Sequence, residues 1–422
     1  MAKDKLTEYS ATNASNDVIG DISVAEGMLP SAVNNALREQ MTHLKNFSDG
    51  TDGIDVLSLA DDDASASIKI QAPSAVTTTT TLTLPDGDGD AGAMLQTNGS
   101  GQLAWSTAYR NKNLVTNGAM AISQRGSSVS VGSGTYTLDR WRTDRDGTVT
   151  ATVSQQSFTL GQTDVPNEPE HYLRFDITAA SGSSYVNLAQ FIEGVRNGAG
   201  QAVTLSFWAK ASSAQTIGLR AIQDFGSSGS SDVSQTISSI SATTSWQQFT
   251  RTFTLASISG KSIGGGNDSL RILWDLPVNT VMQLDLTQVQ LEVGEQATPF
   301  EHRSYGEELA ACQRFFTRVP TIDGSTAYTF IATGMAINGT ESIFPVSFPV
   351  TMRANPSLAT SGSMRVYNGG TVNPSAGITL NSVSTYAASV TVPTGNVHTA
   401  KDALLVGANN DADANFQFDA EL

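Results

Sequence analysis

Helical and strand-like patterns of hydrophobic residues follow one another within the first hundred positions. After Pro30, four apolar residues recur at intervals of four, four and three: Val33, Leu37, Met41 and Leu44. This spacing places them on one face of a helix, and Ala36 and Phe47 widen that face. Ser31 is a candidate N-cap, and the SDGTDG sequence that follows is typical of a helix end. The pattern predicts one short amphipathic helix over residues 31–47.

The residues after this helix alternate with a period of two, as strands do. VLSLA, SIKIQA and TLTL alternate within residues 54–84, and turn-forming DDD and PS sequences separate them. The threonine run before TLTL is β-branched, which favours extended backbone. Two turn-rich clusters follow around a short apolar strand that ends at Trp105. We predict that residues 51–110 form a shaft of short, intertwined strands.

The predicted shaft has an apolar stripe that the neighbouring sequence cannot cover. Its members are Leu82, Leu84, Leu95, Leu103 and Trp105. Because so thin a stripe cannot form a core within one chain, we expect other copies of the chain to cover it. The stripe of the helix can pack on its own chain or form a three-helix bundle, and its polar flanks favour the bundle. An ordinary β-meander in a monomer is the alternative for residues 77–107.

This region contains two pairs of distinctive sequence motifs. LPDGDGDAG is followed closely by TNGSGQLAW, and YSATNASN is followed by PSAVNNALREQM. The first pair resembles the neck of tail-fibre and related structural proteins of tailed bacteriophages, in which three chains intertwine. The second pair resembles the N-terminal part of phage fibre and adhesin proteins, which faces the virion. The resemblance implies a homotrimer that docks through residues 1–50, with the stripes of the helix and the shaft at the trimer interface.

Seven strand-like segments follow between residues 113 and 303. They are TVTATVSQ (148–155), HYLRFDITA (171–179), AVTLSFWAKAS (202–212), QTIGLRAIQDF (215–225), WQQFTRTFTL (246–255), SLRILWDL (269–276) and VMQLDLTQVQLEVG (281–294). Strands in this number and at this spacing predict a jelly-roll or related β-sandwich over residues 111–304. Four of the five tryptophans lie in it: Trp141, Trp208, Trp246 and Trp274. We expect at least half of these to be core residues.

Several motifs of this region also form a recognisable set. They are NLVTNGAMAISQRG, YTLDRWR, LSFWAKAS, WQQFTRTFTL and LTQVQLEVGEQATPFEHRSYGEELAACQRFF. Together they resemble the galactose-binding-like jelly-roll domain of phage tail-fibre proteins, which is distantly akin to carbohydrate-binding modules. The resemblance implies a glycan ligand, whose sugar rings would stack on aromatic side chains. In LSFWAKAS, Leu205, Phe207 and Ala209 share one face of a strand while Trp208 takes the other. Trp208 is therefore the candidate carbohydrate-binding residue.

The last part of the chain, residues 305–422, predicts a second and smaller β-sandwich. A short helix candidate, GEELAACQRFF, precedes five alternating segments: TAYTFIATGMAI, SIFPVSFPVTMR, SMRVYN, GITLNSVS and AASVTVPT. Within the helix candidate, Cys312 is expected to be a small core residue. The simplest account of these strands is a tip domain.

The composition of the chain argues against several classes of protein. The chain has 422 residues, enough for about three domains, and no apolar run is long enough for a membrane-spanning helix. Its first ten residues lack the apolar region of a secretory signal. Cys312 is the only cysteine, so no disulfide can form within one chain. The net charge of −16 argues against binding to nucleic acid, because such binding needs a basic surface.

The sequence gives little support for catalysis. Its histidines are far apart and none has a metal-ligand spacing: His43, His171, His302 and His398. His43 falls on the polar side of the predicted helix, where we expect it to be solvated. Hydrolysis of a polysaccharide needs two carboxylates close to each other beside a sugar-binding cleft. The candidate pairs are Asp139 with Asp144 and Asp275 with Asp285, but the sequence alone does not place the members of either pair in space. The repeats of a parallel β-helix are also absent. We expect no enzymatic activity.

Three acidic turns are candidate calcium-binding sites. DDD (61–63), DGDGD (86–90) and DADAN (411–415) are rich in oxygen ligands, but none matches the twelve-residue EF-hand loop. Solvated turns are the favoured interpretation. The resemblance to carbohydrate-binding modules implies a structural calcium near Asn117, Gly118 and Asp285, but the acidic residue expected after the glycine is missing. We expect no metal and no other cofactor.

Together these patterns and the resemblances to phage tail-fibre proteins imply a mainly β, elongated homotrimer with four parts. Residues 1–50 dock to the phage tail, baseplate or other virion proteins, residues 51–110 form the shaft, and residues 111–304 and 305–422 form the two sandwiches. The predicted function is host recognition and adsorption by a tail fibre or similar appendage that binds host-surface glycan and is assembled in the host cytoplasm. A purely structural fibre or head decoration protein, or a polysaccharide-cleaving tailspike, are the alternatives.

Overall fold

The protein is mainly β and divides into two compact units, residues 1–83 and 84–422. The computed structural model describes residues 18–19, 21–25, 27–48, 56–60, 67–71, 81–87, 94–97, 102–106, 112–319, 328–369, 372–374, 377–394 and 398–422. The predictions for the first 17 residues, the DDD turn, most of the threonine run and the end of the DGDGD turn lie outside this set. No helix among the described residues is long and apolar enough to span a membrane.

The described residues of the first unit form one long helix and two small hairpins. Its elements are β1 (Val18–Ile19), β2 (Ile22–Ser23), α1 (Pro30–Ser48), β3 (Val56–Ala60) and β4 (Ser67–Gln71). Helix α1 matches the predicted helix to within one residue at each end. Strands β3 and β4 pair antiparallel and correspond to the predicted VLSLA and SIKIQA strands. The third predicted strand, TLTL at residues 81–84, belongs to no strand of the structure.

Helix α1 buries a different side than its pattern suggests. Its buried side chains are Ala36 and His43, the latter only 2% exposed, and the His43 imidazole Nε2 lies 3.4 Å from a Glu39 carboxylate oxygen. The expectation that His43 is solvated was therefore wrong. The apolar stripe next to this buried side remains exposed. The helix thus has one side packed within its own chain and one apolar side without cover in a single chain.

The second unit begins with a hairpin and continues into a large β-sandwich. The hairpin pairs β5 (Met94–Thr97) with β6 (Leu103–Ser106), and the Trp105 indole donates a hydrogen bond of 2.8 Å to the Gly87 carbonyl. In the sandwich, sheet A contains, in spatial order, β16 (Gln247–Thr254), β13 (Ala202–Ala211), β18 (Met282–Val293), β11 (His171–Ser181), β10 (Thr148–Ser157) and β7 (Ser128–Ser130). Sheet B contains β15 (Val233–Ala242), β14 (Gln215–Asp224), β17 (Ser269–Asp275), β12 (Val186–Glu193), β9 (Trp141–Arg145) and β8 (Thr135–Tyr136). All pairings are antiparallel.

The core of this first sandwich lies between sheets A and B. Trp141 and Trp274 are fully buried there, with ring centroids 5.5 Å apart, and Phe207 packs edge-on against Trp274. Two of the four tryptophans are therefore core residues, as expected.

A bulge in β18 keeps polar residues on the outer face of sheet A. Leu284 and Leu286 point into the core, as do Val289 and Leu291, although the two pairs are out of phase by one residue. Gln288 absorbs the extra residue with a φ of 48°, at the point where the register of β13 and β18 shifts. Because of this bulge, Asp285 and Thr287 share the outer face with Gln290.

The second sandwich joins a large sheet to a small one. After α2 (Tyr305–Gln313), sheet C contains β24 (Val372–Pro374), β23 (Met364–Tyr367), β27 (Ala403–Ala408), β20 (Phe330–Ala336), β21 (Glu341–Ser347), β26 (Ala387–Pro393) and β25 (Thr379–Val383). Sheet D contains β19 (Phe316–Val319), β28 (Asn415–Asp419) and β22 (Ser357–Ser361). Cys312 on α2 is fully buried, as predicted, and burial raises the pKa of its thiol well above the ordinary value.

Residues 419–422 connect the two sandwiches through ion pairs. Glu421, whose side chain is 5% exposed, pairs with the buried Arg140 and, at 3.2 Å, with Arg125. The Arg140 guanidinium also stacks 3.5 Å from the centroid of the Phe315 ring and donates to the Phe191 carbonyl. Burial lowers the pKa of Arg140 to about 10, so that it remains charged at neutral pH. The two sandwiches therefore share a buried polar contact.

Candidate functional site

Three strands of sheet A bring a row of charged side chains to its outer face. Arg174 on β11 lies opposite Asp285 on β18, and Asp285 lies opposite Lys210 on β13. The Arg174 guanidinium donates two hydrogen bonds of 2.8 Å, one to each oxygen of the Asp285 carboxylate. The Lys210 ammonium lies 3.7 Å from the same carboxylate on its other side. The row is therefore cation, anion, cation.

The anion of this row is enclosed and the cations are accessible. The Asp285 side chain is 4% exposed, whereas those of Arg174 and Lys210 are 27% and 29% exposed. The paired hydrogen bonds to Asp285 raise the pKa of Arg174 above its ordinary value, so this group stays charged. A molecule on this face meets the two cations before it meets the carboxylate.

Three aromatic side chains cluster beside the charged row. Tyr172 on β11 lies 4.9 Å from Phe158 and 5.5 Å from Trp246, measured between ring centroids, and Phe158 and Trp246 are 5.3 Å apart. All three are partly exposed. The Lys210 ammonium lies 5.1 Å from the Trp246 ring and 5.9 Å from the Tyr172 ring, within the range of cation–π attraction. Burial raises the pKa of Tyr172, which keeps its hydroxyl neutral.

A small cavity opens at the other side of the charged row. Its volume is about 190 Å³, and its lining residues are Arg174, Lys210, Ala211, Ser212, Thr244, Gln283 and Asp285. Sites for drug-sized ligands have volumes of roughly 300–1,000 Å³. The cavity therefore suits one sugar unit or one substituent of a longer ligand, and Lys210 lies between it and the aromatic cluster.

Trp208 lies on the same outer face. Leu205, Phe207 and Ala209 are fully buried while Trp208 is partly exposed, as the alternation of this strand indicates. Trp208 lies opposite Thr287 on β18 and Gln248 on β16. Among the described residues it makes no ring contact with another aromatic side chain, so it stands apart from the cluster. It remains a candidate at the side of the site rather than its centre.

Sequence reasoning missed the centre of this site although a signal was present. In HYLRFDITA, Leu173 and Phe175 point to the core, so the same rule that selected Trp208 places Tyr172 and Arg174 outside. The missing information was the register, which sets Arg174 and Lys210 on either side of Asp285. Trp246 precedes β16 in a connection, where no periodicity indicates its direction.

The first and the last of the recognisable motifs build the framework rather than this face. Asn113 bonds through its side chain to the backbone of Val115, Val289 and Leu291, and Asn117 bonds to that of Ile122 and Asp139. Glu308 on α2 accepts a hydrogen bond from the Asn117 amide. Burial raises the pKa of Glu308. These contacts connect the first segment of the sandwich to β18 and to α2.

The residues predicted at a trimer interface lie mostly at the surface of a single chain. Their exposed fractions are 42% for Val33, 55% for Leu37, 68% for Met41, 53% for Leu44, 63% for Leu82, 72% for Leu84, 45% for Leu95 and 40% for Trp105. Leu103 is half-buried. Helix α1 and the hairpin β5–β6 therefore each present uncovered apolar side chains.

The structure separates the candidate catalytic carboxylates. Asp275 lies on the outer face of sheet B, where Arg220 binds it, and Asp285 lies on the outer face of sheet A, so the core separates them. Asp139 is buried and accepts hydrogen bonds from Gln124, while Asp144 pairs with Arg142.

The candidate calcium ligands have protein partners instead. Asp411 in the DADAN turn accepts hydrogen bonds from the amides of Ser363 and Asp413, which lower its pKa. The Asn117 carbonyl accepts a hydrogen bond from the Trp141 indole. Over the part of the chain that the structure describes, no group of three or more His, Cys, Asp or Glu side chains is arranged to hold a metal ion.

Comparison with known proteins gives structural similarities of limited extent. No protein-family model and no curated protein matches the chain. Among solved structures, the chain is similar to the enzymatically active domain of tailspike protein 4 of bacteriophage CBA120, at 16% identity and a TM-score of 0.29 over 43% of this chain and 22% of that one. It is also similar to the CBM22-2 xylan-binding domain of Xyn10C from Paenibacillus barcinonensis, at 16% identity and a TM-score of 0.27 over 37% and 92% of the two chains.

A third similar structure is the family 11 carbohydrate-binding module of the cellulase Lic26A-Cel5E from Clostridium thermocellum. Its identity is 14% and its TM-score is 0.26, over 41% of this chain and 95% of the module. The similar structures thus include carbohydrate-binding modules and a phage tailspike domain. This chain spans 22% of the tailspike domain. TM-scores this low carry no argument about the function of the chain.

Proposed function

We propose that this protein is a trimeric virion structural protein, a tail fibre or a similar appendage, that adsorbs the particle to host-surface glycan through the outer face of sheet A. The observation that supports glycan binding is the aromatic cluster of Phe158, Tyr172 and Trp246 beside the Arg174–Asp285–Lys210 row. Aromatic rings stack on the apolar faces of sugars, and charged groups beside them bind hydroxyl groups. The charged row also lines a cavity of about 190 Å³.

The virion role rests on the resemblance of the N-terminal segments to phage fibre proteins. An antibody raised against the full chain should label an appendage of purified virions and inhibit their adsorption to host cells. Labelled virions that adsorb normally despite bound antibody would favour the purely structural fibre or head decoration protein. Release of reducing ends from host polysaccharide by the purified protein would favour the polysaccharide-cleaving tailspike.

The trimer is supported by the uncovered side of helix α1. Three copies of an apolar stripe with spacings of three and four residues can pack around a common axis. Other copies of the chain would also cover Leu84, Leu95 and Trp105, which are exposed in the single chain. Three weak glycan sites on one particle would then act together and bind with greater avidity than one.

A pair of substitutions on α1 tests the trimer. Light scattering of the purified protein should give about three times the chain mass of 44.3 kDa. Leu37→Asp with Met41→Asp is expected to reduce this to the mass of one chain, because six carboxylates would be buried at the trimer axis. Asn35→Asp, on the opposite side of the same helix, is the matched control and should remain trimeric. A monomeric wild type, or a doubly substituted trimer, would contradict the proposal.

A further inference from the structure

We infer that the glycan bound by the outer face of sheet A is acidic, and that a carboxylate of the sugar binds between Arg174 and Lys210 at the cavity. This inference rests on the proposed glycan-binding function and specifies the class of sugar. The chain as a whole carries a net charge of −16, yet the lining of this cavity has more positive than negative side chains. The charges of the side chains that line the cavity, and their unused hydrogen-bond donors, indicate which chemical group of the ligand binds there.

The cavity lining has an excess of positive charge. It contains the cations Arg174 and Lys210 and the single anion Asp285. Asp176 lies two residues along β11 from Arg174, opposite Gln283, but does not line the cavity. Because Asp285 is 4% exposed, a ligand in the cavity meets the cations while the carboxylate is already occupied by Arg174.

The Lys210 ammonium has unused hydrogen-bond donors. An ammonium group has three, yet no hydrogen bond from the Lys210 ammonium is found among the described residues, and the Asp285 oxygen at 3.7 Å lies beyond hydrogen-bond distance. Arg174 uses Nε and Nη2 on Asp285, and within residues 112–319 its Nη1 has no hydrogen-bond partner. A carboxylate between these groups would accept charge-assisted hydrogen bonds from both cations. A neutral hydroxyl would leave the excess charge uncompensated.

The neighbouring aromatic cluster suits the rest of such a sugar. Trp246 and Tyr172 lie 5.1 and 5.9 Å from the Lys210 ammonium, measured to the ring centroids. An acidic sugar carries an apolar C–H face and a carboxylate on one ring, so it can stack on the cluster while its carboxylate reaches Lys210. The arrangement therefore matches both parts of one uronic or sialic acid unit.

The test compares matched acidic and neutral ligands on the full chain. The probe is a glycan array with oligosaccharides that contain uronic or sialic acids, each printed beside its carboxyl-reduced counterpart of identical linkage. The wild type is expected to bind acidic members at least about tenfold more tightly than their reduced counterparts. Lys210→Met should remove this preference, and Lys210→Arg should retain it. Added salt should weaken acidic binding by the wild type but not the residual binding by Lys210→Met.

Lys261→Met is the matched control for these variants. Its ammonium also lies over an aromatic ring, 5.5 Å from the centroid of Phe225, but outside the cavity, so binding should be unchanged. Equal binding of acidic and reduced members, or a preference that survives in Lys210→Met, would overturn the acidic class and leave glycan binding intact. Binding of no array member by folded wild type would instead overturn the proposed glycan binding itself.

Discussion

Replacing Glu421 with glutamine is expected to lower the free energy of unfolding of the second unit by about 3–5 kcal/mol. The substitution removes the charge that compensates Arg140, whose side chain is 1% exposed. Arg140 is held in place by the Phe315 ring and the Phe191 carbonyl, so it cannot reach water without breaking these contacts. A buried cation without its partner is strongly destabilising.

Urea unfolding followed by tryptophan fluorescence measures this effect. Four of the five tryptophans lie in the first sandwich and Trp105 lies in the hairpin β5–β6, so the signal reports mainly on the first sandwich although Glu421 follows the last strand of the second. Glu193→Gln is the matched control, since Glu193 pairs with Arg314 where the two side chains are 38% and 41% exposed. It should cost at most about 1 kcal/mol. An equal effect of the two substitutions would show that the Arg140–Glu421 pair contributes no more than a surface ion pair.

Replacing Trp246 with alanine is expected to weaken glycan binding by about 30-fold or more, as for a well-packed aromatic binding residue. The substitution removes the largest ring of the aromatic cluster and one of the two rings beside Lys210. Trp208→Ala should have a smaller effect, because Trp208 lies on the same face without a contact to the cluster. Isothermal titration with an oligosaccharide that the wild type binds gives both values.

Tyr386→Ala is the control for the tryptophan substitution. Tyr386 is 67% exposed on the second sandwich, away from sheet A, and its loss should leave the dissociation constant unchanged. If Tyr386→Ala abolished binding while Trp246→Ala had no effect, the ligand would bind the second sandwich and the assignment of the site to sheet A would be wrong. Circular dichroism of each variant distinguishes loss of binding from loss of folding.

The fold was predictable wherever one side of a strand faces the core and the other faces water. All seven strands predicted in the first sandwich are present, but five strands of the structure were missed. Three of these are the short β7, β8 and β9, and the fourth is β12. Seven of its eight residues are buried, because Val186 and Leu188 face the core while Ala189 and Phe191 pack against Leu273 and Leu422. With both sides covered, the strand loses its period of two. β15 was missed because its pairing with β14 has an irregularity opposite Ile217 and Leu219. As a result its buried residues Ile237 and Ile240 are three positions apart, which breaks the period of two.

The site was less predictable than the fold because it depends on register. Alternation alone identifies Trp208 as an outward residue, and the structure places it there. The cavity instead depends on which residue of β11 and which residue of β13 lie opposite Asp285. The bulge at Gln288 also determines which residues of β18 face outward. A shift of one residue would turn each of these side chains to the core, and no local sequence signal sets that shift.

The pairing of β19 with β28 has an evolutionary consequence. Phe316 lies opposite Asp419, so the chain enters and leaves the second sandwich on neighbouring strands. Segments with adjacent ends can be exchanged without moving the structure that carries them. We therefore expect that recombination can replace residues 320–414 as a cassette, provided that the new segment again covers the buried Phe416 and Phe418 of β28. The second sandwich can diversify in this way while the outer face of sheet A stays unchanged.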